Sequence, residues 1–191
     1  MKVLEPIIKR RAFRAFSEKQ IPEDILENIA IAGTLAPSCA NAQPWRLITV
    51  TQKEKLDKLK EALTPGNYWA KKAPAITAVV TKLDWDARLD NGRDYAFFDT
   101  GMAVMNYQLQ AIEHGLYAHP IAGFDAVKAK DVLEIPTDAT LLTLVILGYP
   151  GDHSHLNEKH LEAEKSQRTR KALHEVYALD SWQTQLSPPS K

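Results

Sequence analysis

The stretch from Tyr95 to His114 constrains the fold of this chain most strongly, because large apolar side chains cover more than half of its helical surface. These side chains belong to Phe97, Phe98, Met102, Met105, Leu109 and Ile112. A helix that is apolar on most faces has to be buried in a core or in a subunit interface. Gly101, Ala103 and Ala111 are small enough for close packing, and Gly115 suits a left-handed cap at the helix end. The sequence therefore predicts a long, covered helix.

The remaining periodicities predict a layered mixture of helices and strands. Strands are predicted at 46–51, 75–81, 116–120 and 141–148, the second and fourth from continuous apolar runs. Helices are predicted over 3–11, from an opening at 21–24 to Pro37, over 54–63, and over 125–133. Residues 83–94 are predicted to form an exposed excursion, and residues 153–167 a solvated arm. The expected fold class is α+β, a small, mostly antiparallel sheet of about four to five strands flanked by helices. It is expected to be one domain over residues 1–191, with a tail at 179–191.

Composition narrows the function classes. The 191 residues carry 24 basic and 24 acidic side chains, and this zero net charge argues against a dedicated nucleic-acid binder. A single cysteine allows no disulfide within the chain, so nothing indicates an oxidising compartment. No apolar run reaches the length of about 20 residues that a membrane helix needs. We expect a cytoplasmic protein with no membrane and no nucleic-acid partner.

Two basic clusters are candidate anion sites. Arg10 and Arg14 are four residues apart, next to Arg11, and were they helical they would share a face or flank the helix end. Arg168 and Arg170 alternate on a segment that, if extended, points both side chains the same way. Paired guanidinium groups suit one phosphate dianion, since each can donate two parallel hydrogen bonds. Taken separately, each cluster is equally compatible with a solvated charged surface.

Two further segments combine polar groups with tight backbone turns. Residues 36–46 place Ser38, Asn41 and Gln43 between two prolines, which suits a polyhydroxylated ligand such as a ribityl chain. Residues 115–125 place small residues between a predicted strand and a predicted helix. There the backbone N–H groups of Ala122 and Gly123 can face a planar ring that accepts hydrogen bonds along one edge.

Taken together, these segments resemble the nitroreductase family of flavoproteins. The family pattern Arg-Arg-Ser-x-Arg-x-Phe corresponds to residues 10–16, with Ala12 in place of the usual Ser. The pattern Ala-Pro-Ser-x-x-Asn-x-Gln-Pro-Trp is present at every fixed position over residues 36–45. A Gly-Leu…Pro-Ile-x-Gly-Phe-Asp stretch follows at 115–125, and a basic pair comes late in the chain. The resemblance runs from about Glu5 to Tyr177.

The resemblance implies an NAD(P)H-dependent oxidoreductase with bound FMN, which passes hydride to a small acceptor such as a nitroaromatic or a quinone in a ping-pong cycle. It also implies a homodimer with the flavin sites at the interface. In this reading Ser38 and Asn41 contact the flavin of the second subunit, and the arginines contact the phosphate and the ring edge. Backbone groups of Ala122 and Gly123 face the N5 and O4 edge. The implied cofactor-binding set is Arg10, Arg11, Ala12, Arg14, Pro37, Ser38, Cys39, Asn41, Gln43, Pro120, Ile121, Ala122, Gly123, Arg168 and Arg170. No side chain is expected to be catalytic and no metal is expected, because the flavin carries the chemistry.

Several alternatives stay open at this point. The same scaffold could support ene reduction, dehydrogenation or flavin modification, or bind flavin without turnover. Cys39 is a candidate nucleophile, although the sequence sets no histidine against it. Asp152, His153, His155 and His160 are candidate metal ligands whose spacing fixes no ligand set. A nucleic-acid module that uses the basic N-terminal segment is disfavoured by the neutral charge.

Overall fold

Four strands form the central sheet of the computed structural model, which describes residues 3–188. In chain order the strands are β1 (Arg46–Val50), β2 (Ala75–Thr81), the short hairpin β3 (Arg88–Leu89) and β4 (Arg93–Asp94), β5 (Tyr117–Ile121) and β6 (Thr140–Gly148). The central sheet has the order β1-β2-β6-β5, and every neighbouring pair is antiparallel. The predicted α+β class with a small antiparallel sheet is therefore confirmed.

The part of the chain that the structure describes also contains six α-helices. They are α1 (Glu5–Lys9), α2 (Glu23–Thr34), α3 (Lys53–Lys60), α4 (Tyr95–Glu113), α5 (Ala126–Leu133) and α6 (Glu158–Lys165). The side chain of Asp125 caps α5 by accepting a hydrogen bond from the N–H of Lys128 at 3.0 Å, which satisfies one of the free amides of the first turn. Short 3-10 segments at 65–72 and 83–85 complete the connections.

Both faces of the sheet are buried, as the apolar run of β2 predicts. All seven residues of β2 are buried. Ile76 points into a core that includes residues of α3 and α5, whereas Val79 points into a second core with residues of α2 and α4. Alternate side chains of a strand lie on opposite faces, so a continuous apolar run is what a doubly covered strand requires.

The long helix α4 buries its small residues and exposes several of its large apolar ones, the opposite of what burying the large apolar side chains in the core would require. Its buried side is lined by Ala96, Asp99, Thr100, Ala103, Val104, Tyr107, Gln108 and Ala111. The large residues Phe97, Phe98 and Met105 are exposed, with Phe98 at 62%. Small side chains let the helix approach the sheet closely, which leaves the bulky apolar face uncovered by this chain. Within the described residues, the core of this chain therefore does not cover that face.

Two boundary predictions are wrong. The helix predicted over residues 3–11 covers only Glu5–Lys9, because the backbone becomes extended at Arg10 (φ −60°, ψ 122°). Arg10 and Arg14 therefore do not share a helix face. The arm predicted at 153–167 contains α6, whose first turn is capped by the side chain of Asn157 accepting from the N–H of His160 at 2.9 Å. Leu156 is buried in the core, which anchors the start of this helix.

Candidate functional site

A cavity of about 270 Å³ lies between the segment after α1 and the segment after α6. Five arginines line it: Arg10, Arg11, Arg14, Arg168 and Arg170. Ala12, Phe13, Ala163, Ser166, Gln167 and Thr169 complete the wall. The structure thus brings together the two basic clusters, which the sequence separates by about 150 residues. We call this cavity the arginine pocket.

Backbone carbonyls hold Arg168, in the C-terminal part of the arginine pocket, in place. The guanidinium of Arg168 donates to the carbonyl oxygens of Ile7 at 3.3 Å and Ile8 at 2.7 Å, and also to that of Arg10. The last carbonyls of a helix lack partners within the helix, so a cation there is favourable. Arg168 therefore joins the C-terminal segment to the end of α1.

Residues of α6 hold the N-terminal part of the arginine pocket, which contains Arg11 and Arg14. The Nη2 group of Arg11 donates to the carbonyl of Ala163 at 3.2 Å. The backbone N–H of Arg14 donates to Oε1 of Glu164 at 2.7 Å. The side chain of Glu164 is only 2% exposed, and its Oε2 has no hydrogen-bond partner within residues 3–188. A buried carboxylate under the cluster fixes the backbone of Arg14 and partly offsets the positive charge.

The charge of the pocket is uncompensated at its surface. Within the described part of the chain, no carboxylate forms an ion pair with any of the five arginines. Burial lowers the pKa of Arg10, and the neighbouring charges of Arg168 and Arg170 lower it further. Like charges held together without an ion-pair partner favour an anion between them. At position 12, where a serine hydroxyl is absent, the carbonyl of Ala12 accepts from Nη1 of Arg14 at 3.2 Å.

Aromatic rings support this segment from β5. The ring of Phe13 stacks on Tyr117 with centroids 4.3 Å apart, and Trp69 stacks on His119 at 4.6 Å. Nδ1 of His119 lies 2.9 Å from the carbonyl oxygen of Phe13. Burial lowers the pKa of His119 to about 4; the bond to Phe13 opposes that shift and the charge of Arg14 adds to it. His119 is therefore neutral near pH 7, and Nδ1 donates its hydrogen to the carbonyl.

No residue of the polar loop Pro37–Gln43 lines the arginine pocket. Pro37, Asn41 and Gln43 are exposed, and Ser38 and Cys39 are half-buried. Ala40, Asn41 and Gln43 adopt positive φ angles of 49°, 59° and 50°. Left-handed backbone costs a non-glycine residue on the order of 1 kcal/mol, so other contacts must hold this loop. One of them is the N–H of Cys39, which donates to Oδ2 of the buried Asp99 at 2.7 Å.

The end of β5 presents backbone donors. Pro120 is half-buried, Ile121 is buried, and Ala122 is exposed. Among residues 3–188 nothing accepts a hydrogen bond from the N–H groups of Ala122 and Gly123, which follow the last residue of the strand. At a rise of about 3.3 Å per extended residue, the N–H groups of Ala122 and Gly123 lie about 10 Å and about 13 Å beyond that of His119.

Glycine at position 123 also has a reason within the chain. Its carbonyl accepts from Oγ1 of Thr64 at 2.9 Å and from Nδ2 of Asn67 at 2.8 Å. A Cβ at this position would lie 2.7 Å from each of those side-chain atoms. The missing side chain therefore lets Thr64 and Asn67 close over the turn.

Three supporting residues, Glu164, His119 and Trp69, are absent from the sequence-based set. Trp69 is 1% exposed, and its indole nitrogen has no hydrogen-bond partner among the described residues. The guanidinium carbon of Arg14 lies 5.8 Å from the centroid of the Trp69 ring. Their roles depend on contacts between segments far apart in the chain, for which one sequence carries no signal. The one signal in the sequence was Asn157, a residue type that favours the start of a helix, which could have predicted α6 and so the helical position of Glu164.

The candidate metal site gains no support from the described residues. Between residues 3 and 188, no three His, Cys, Asp or Glu side chains are grouped so as to hold a metal ion. No helix in the same range combines the length and apolar character needed to cross a membrane.

Comparisons with known proteins agree on one relationship. A family model described as "Nitroreductase family" matches residues 7–67 and 62–149. A Thermus thermophilus protein named NADH dehydrogenase is 28% identical, with 78% of this chain and 86% of that protein aligned. A Bacillus subtilis protein named as an NAD(P)H FMN reductase is 26% identical over 80% of this chain and 67% of its own length.

A solved structure described as an oxidoreductase containing FMN has the same fold. It superposes with a TM-score of 0.84 at 27% identity, covering 96% of this chain and 94% of that chain. The family model spans most of the sheet and includes the first basic cluster, the polar loop and the end of β5. The chain therefore belongs to the nitroreductase family.

Proposed function

We propose that the protein is an FMN-dependent oxidoreductase that takes hydride from NAD(P)H and passes it to a small acceptor, such as a nitroaromatic or a quinone, in a ping-pong cycle. The observation that carries this proposal is the arginine pocket. Five guanidinium groups without a carboxylate partner in the described chain fit a phosphate dianion by their charge, and guanidinium groups whose donors are free, such as that of Arg10, can add paired hydrogen bonds. The names of the Bacillus subtilis relative and of the superposed structure, which both mention FMN, point to the same cofactor.

The donor set fits the rest of FMN as well. Ala122 and Gly123 offer two neighbouring N–H groups with no acceptor in the described chain, which suit the polar edge of a flavin ring. They directly follow β5, the strand that carries His119, and His119 supports the arginine pocket, so a single extended cofactor could reach both. In this proposal Arg10, Arg14, Arg168 and Arg170 hold the phosphate end, and the strand end holds the ring.

The apolar face of α4 supports a homodimer with the cofactor at the interface. Uncovered apolar side chains continue from α4 onto α1 and α2, with Leu4 at 68% and Leu35 at 76% exposure. A groove between these helices is lined by Leu4, Ile7, Leu35 and Leu109. Contiguous apolar surface of this kind marks an interaction site. A second copy that covers it would bring the loop Pro37–Gln43, and with it Ser38 and Asn41, to the neighbouring cofactor.

The chemistry belongs to the cofactor, which when bound accepts and donates hydride. The residues of this chain bind and orient it. The arginines fix the phosphate end, and neutral His119 holds the carbonyl of Phe13 in place between Arg11 and Arg14. No side chain needs to transfer a proton or form a covalent bond.

The visible absorption spectrum of the purified protein tests the proposal, followed by identification of the released chromophore. We expect FMN, bleached by NADH or NADPH without oxygen and restored by a quinone or a nitroarene. A protein that neither contains nor takes up FMN would overturn the proposal. A flavin that no nicotinamide cofactor reduces would indicate binding without turnover, and faster turnover with enones would indicate ene reduction.

A further inference from the structure

Two carboxyl groups lie side by side beneath the polar loop Pro37–Gln43. Asp99 belongs to the buried side of α4 and is 1% exposed. Asp86 follows the 3-10 segment 83–85, and its Oδ2 is buried without a hydrogen-bond partner in the described structure. Burial raises the pKa of Asp86, the N–H of Ala87 opposes that shift, and contact with Asp99 raises the pKa further.

Asp99 makes the contact that ties the loop to the rest of the fold. Its Oδ2 accepts the N–H of Cys39 at 2.7 Å. The other hydrogen bonds of the loop are local, from the N–H of Gln43 to Oγ of Ser38 at 3.0 Å and from Arg46 to the carbonyl of Gln43 at 3.0 Å. Within residues 3–188, Asp99 is therefore the hydrogen-bonding residue that joins the loop to a part of the chain distant in sequence, 60 residues away.

The loop needs such a tie because its backbone is unfavourable. Ala40, Asn41 and Gln43 all have positive φ, and none of them is glycine. Left-handed residues of this kind persist where surrounding contacts over-determine them, commonly at ligand sites. A charge-assisted hydrogen bond shielded from water is a strong contact of that sort.

We propose that Asp99 is a positioning residue, whose buried carboxyl group holds the loop Pro37–Gln43 in the backbone conformation that places Ser38 and Asn41 against the cofactor. The proposal rests on the proposed function for the role of the loop. The holding contact itself stands on the geometry of Asp99 and Cys39.

The single cysteine of the chain makes the first test direct, because alkylation by iodoacetamide then reports only on the loop. In apoprotein, Asp99→Ala should raise the labelling rate of Cys39 about tenfold, the effect of losing one charge-assisted hydrogen bond. Asp99→Asn, whose amide oxygen can still accept the N–H, should largely restore the slow rate. An unchanged rate in Asp99→Ala would overturn the proposal.

Two control variants exclude a merely structural effect. Asp94→Asn replaces an acid at the start of the same helix that makes no contact with the loop. Ile146→Val removes a methyl group from a fully buried side chain of β6 and so lowers the free energy of unfolding of the whole protein. Both should label at the wild-type rate, whereas faster labelling of Ile146→Val would mean that general destabilisation exposes Cys39.

Hydrogen exchange in the unmodified protein covers the case in which Asp99→Ala does not fold. The N–H of Cys39 should exchange at least about tenfold more slowly than that of Ala40, which has no acceptor among the described residues. Equal exchange at the two positions would overturn the holding contact.

Titration of apoprotein with FMN separates this proposal from the proposed function. Faster labelling of Asp99→Ala with about tenfold weaker FMN binding would support positioning. Faster labelling with unchanged FMN affinity would show that the loop does not contact the cofactor, and would overturn the positioning role. If the wild-type protein bound no FMN, the proposed function and this role would fail together, while the labelling would still decide whether Asp99 holds the loop.

Discussion

Replacing Arg10 by alanine should weaken FMN binding without destabilising the apoprotein. The guanidinium of Arg10 lines the arginine pocket and, among the described residues, its side chain makes no hydrogen bond and no ion pair. Burial and the charges of Arg168 and Arg170 already lower its pKa, so the free protein holds this charge at a cost. Removing it therefore relieves repulsion in the empty pocket and removes one contact from the filled one.

The magnitude follows from the kind of contact. A hydrogen bond to a charged group contributes about 1.5–3 kcal/mol, which corresponds to a rise in the FMN dissociation constant of about 10- to 150-fold. Riboflavin lacks the phosphate, so its affinity should be the same for both proteins. The unfolding midpoint of the apoprotein should be no lower than that of the wild type.

Quenching of flavin fluorescence on titration into apoprotein measures both affinities. Lys9→Ala is the matched control, since Lys9 is an adjacent cation that lies outside the pocket and pairs with Glu5 at 2.7 Å. That pair is fully exposed to solvent, so it contributes little to stability and nothing to the pocket. An FMN affinity within twofold of wild type in Arg10→Ala, or an equal loss for riboflavin, would refute the assignment of the phosphate to the arginine pocket.

Three further predictions concern stability and assembly. The pKa of His119 is lowered to about 4 from 6.5, so His119 stays neutral in the folded chain while the same residue in the unfolded chain takes up a proton. The contribution of neutral His119 to the free energy of unfolding is therefore complete above pH 6.5 and is lost as the pH falls. Urea unfolding at pH 8 and pH 5 should show about 2 kcal/mol more acid destabilisation in wild type than in His119→Phe, and equal losses would contradict the shift. Gly123→Ala should cost about 1–3 kcal/mol in unfolding free energy, because the added Cβ would lie 2.7 Å from Thr64 and Asn67; a neutral result would mean that both side chains move freely. Phe98→Glu should shift the protein to monomers in sedimentation velocity, and an unchanged dimer would exclude this face as the interface.

The sheet could be predicted from the sequence because its signals are local. Continuous apolar runs at 75–81 and 141–148 specify buried strands wherever they occur, and both were found. The direction in which α4 faces could not be predicted, because small and large apolar side chains are equally able to be buried. Only the packing distance to the sheet decides that Ala103 lies inside and Phe98 outside.

The candidate site divides along the same line. The basic clusters, the polar loop and the small residues after β5 could be picked out from their residue types. The resemblance to a known family also implied that Arg10 and Arg168 belong to one cofactor-binding site. It gave no indication of Glu164 beneath Arg14 or of His119 against Phe13, because those contacts join segments that are 150 and 106 residues apart.

The link between Arg168 and the carbonyl of Arg10 spans 158 positions along the chain. The strands and the long helix are complete well before residue 168 has been synthesised, so the core can form on the ribosome while the pocket still lacks two of its five cations. Capture of a phosphate-bearing ligand would then be the last event in maturation, and it would link the segment after α1 to the segment after α6.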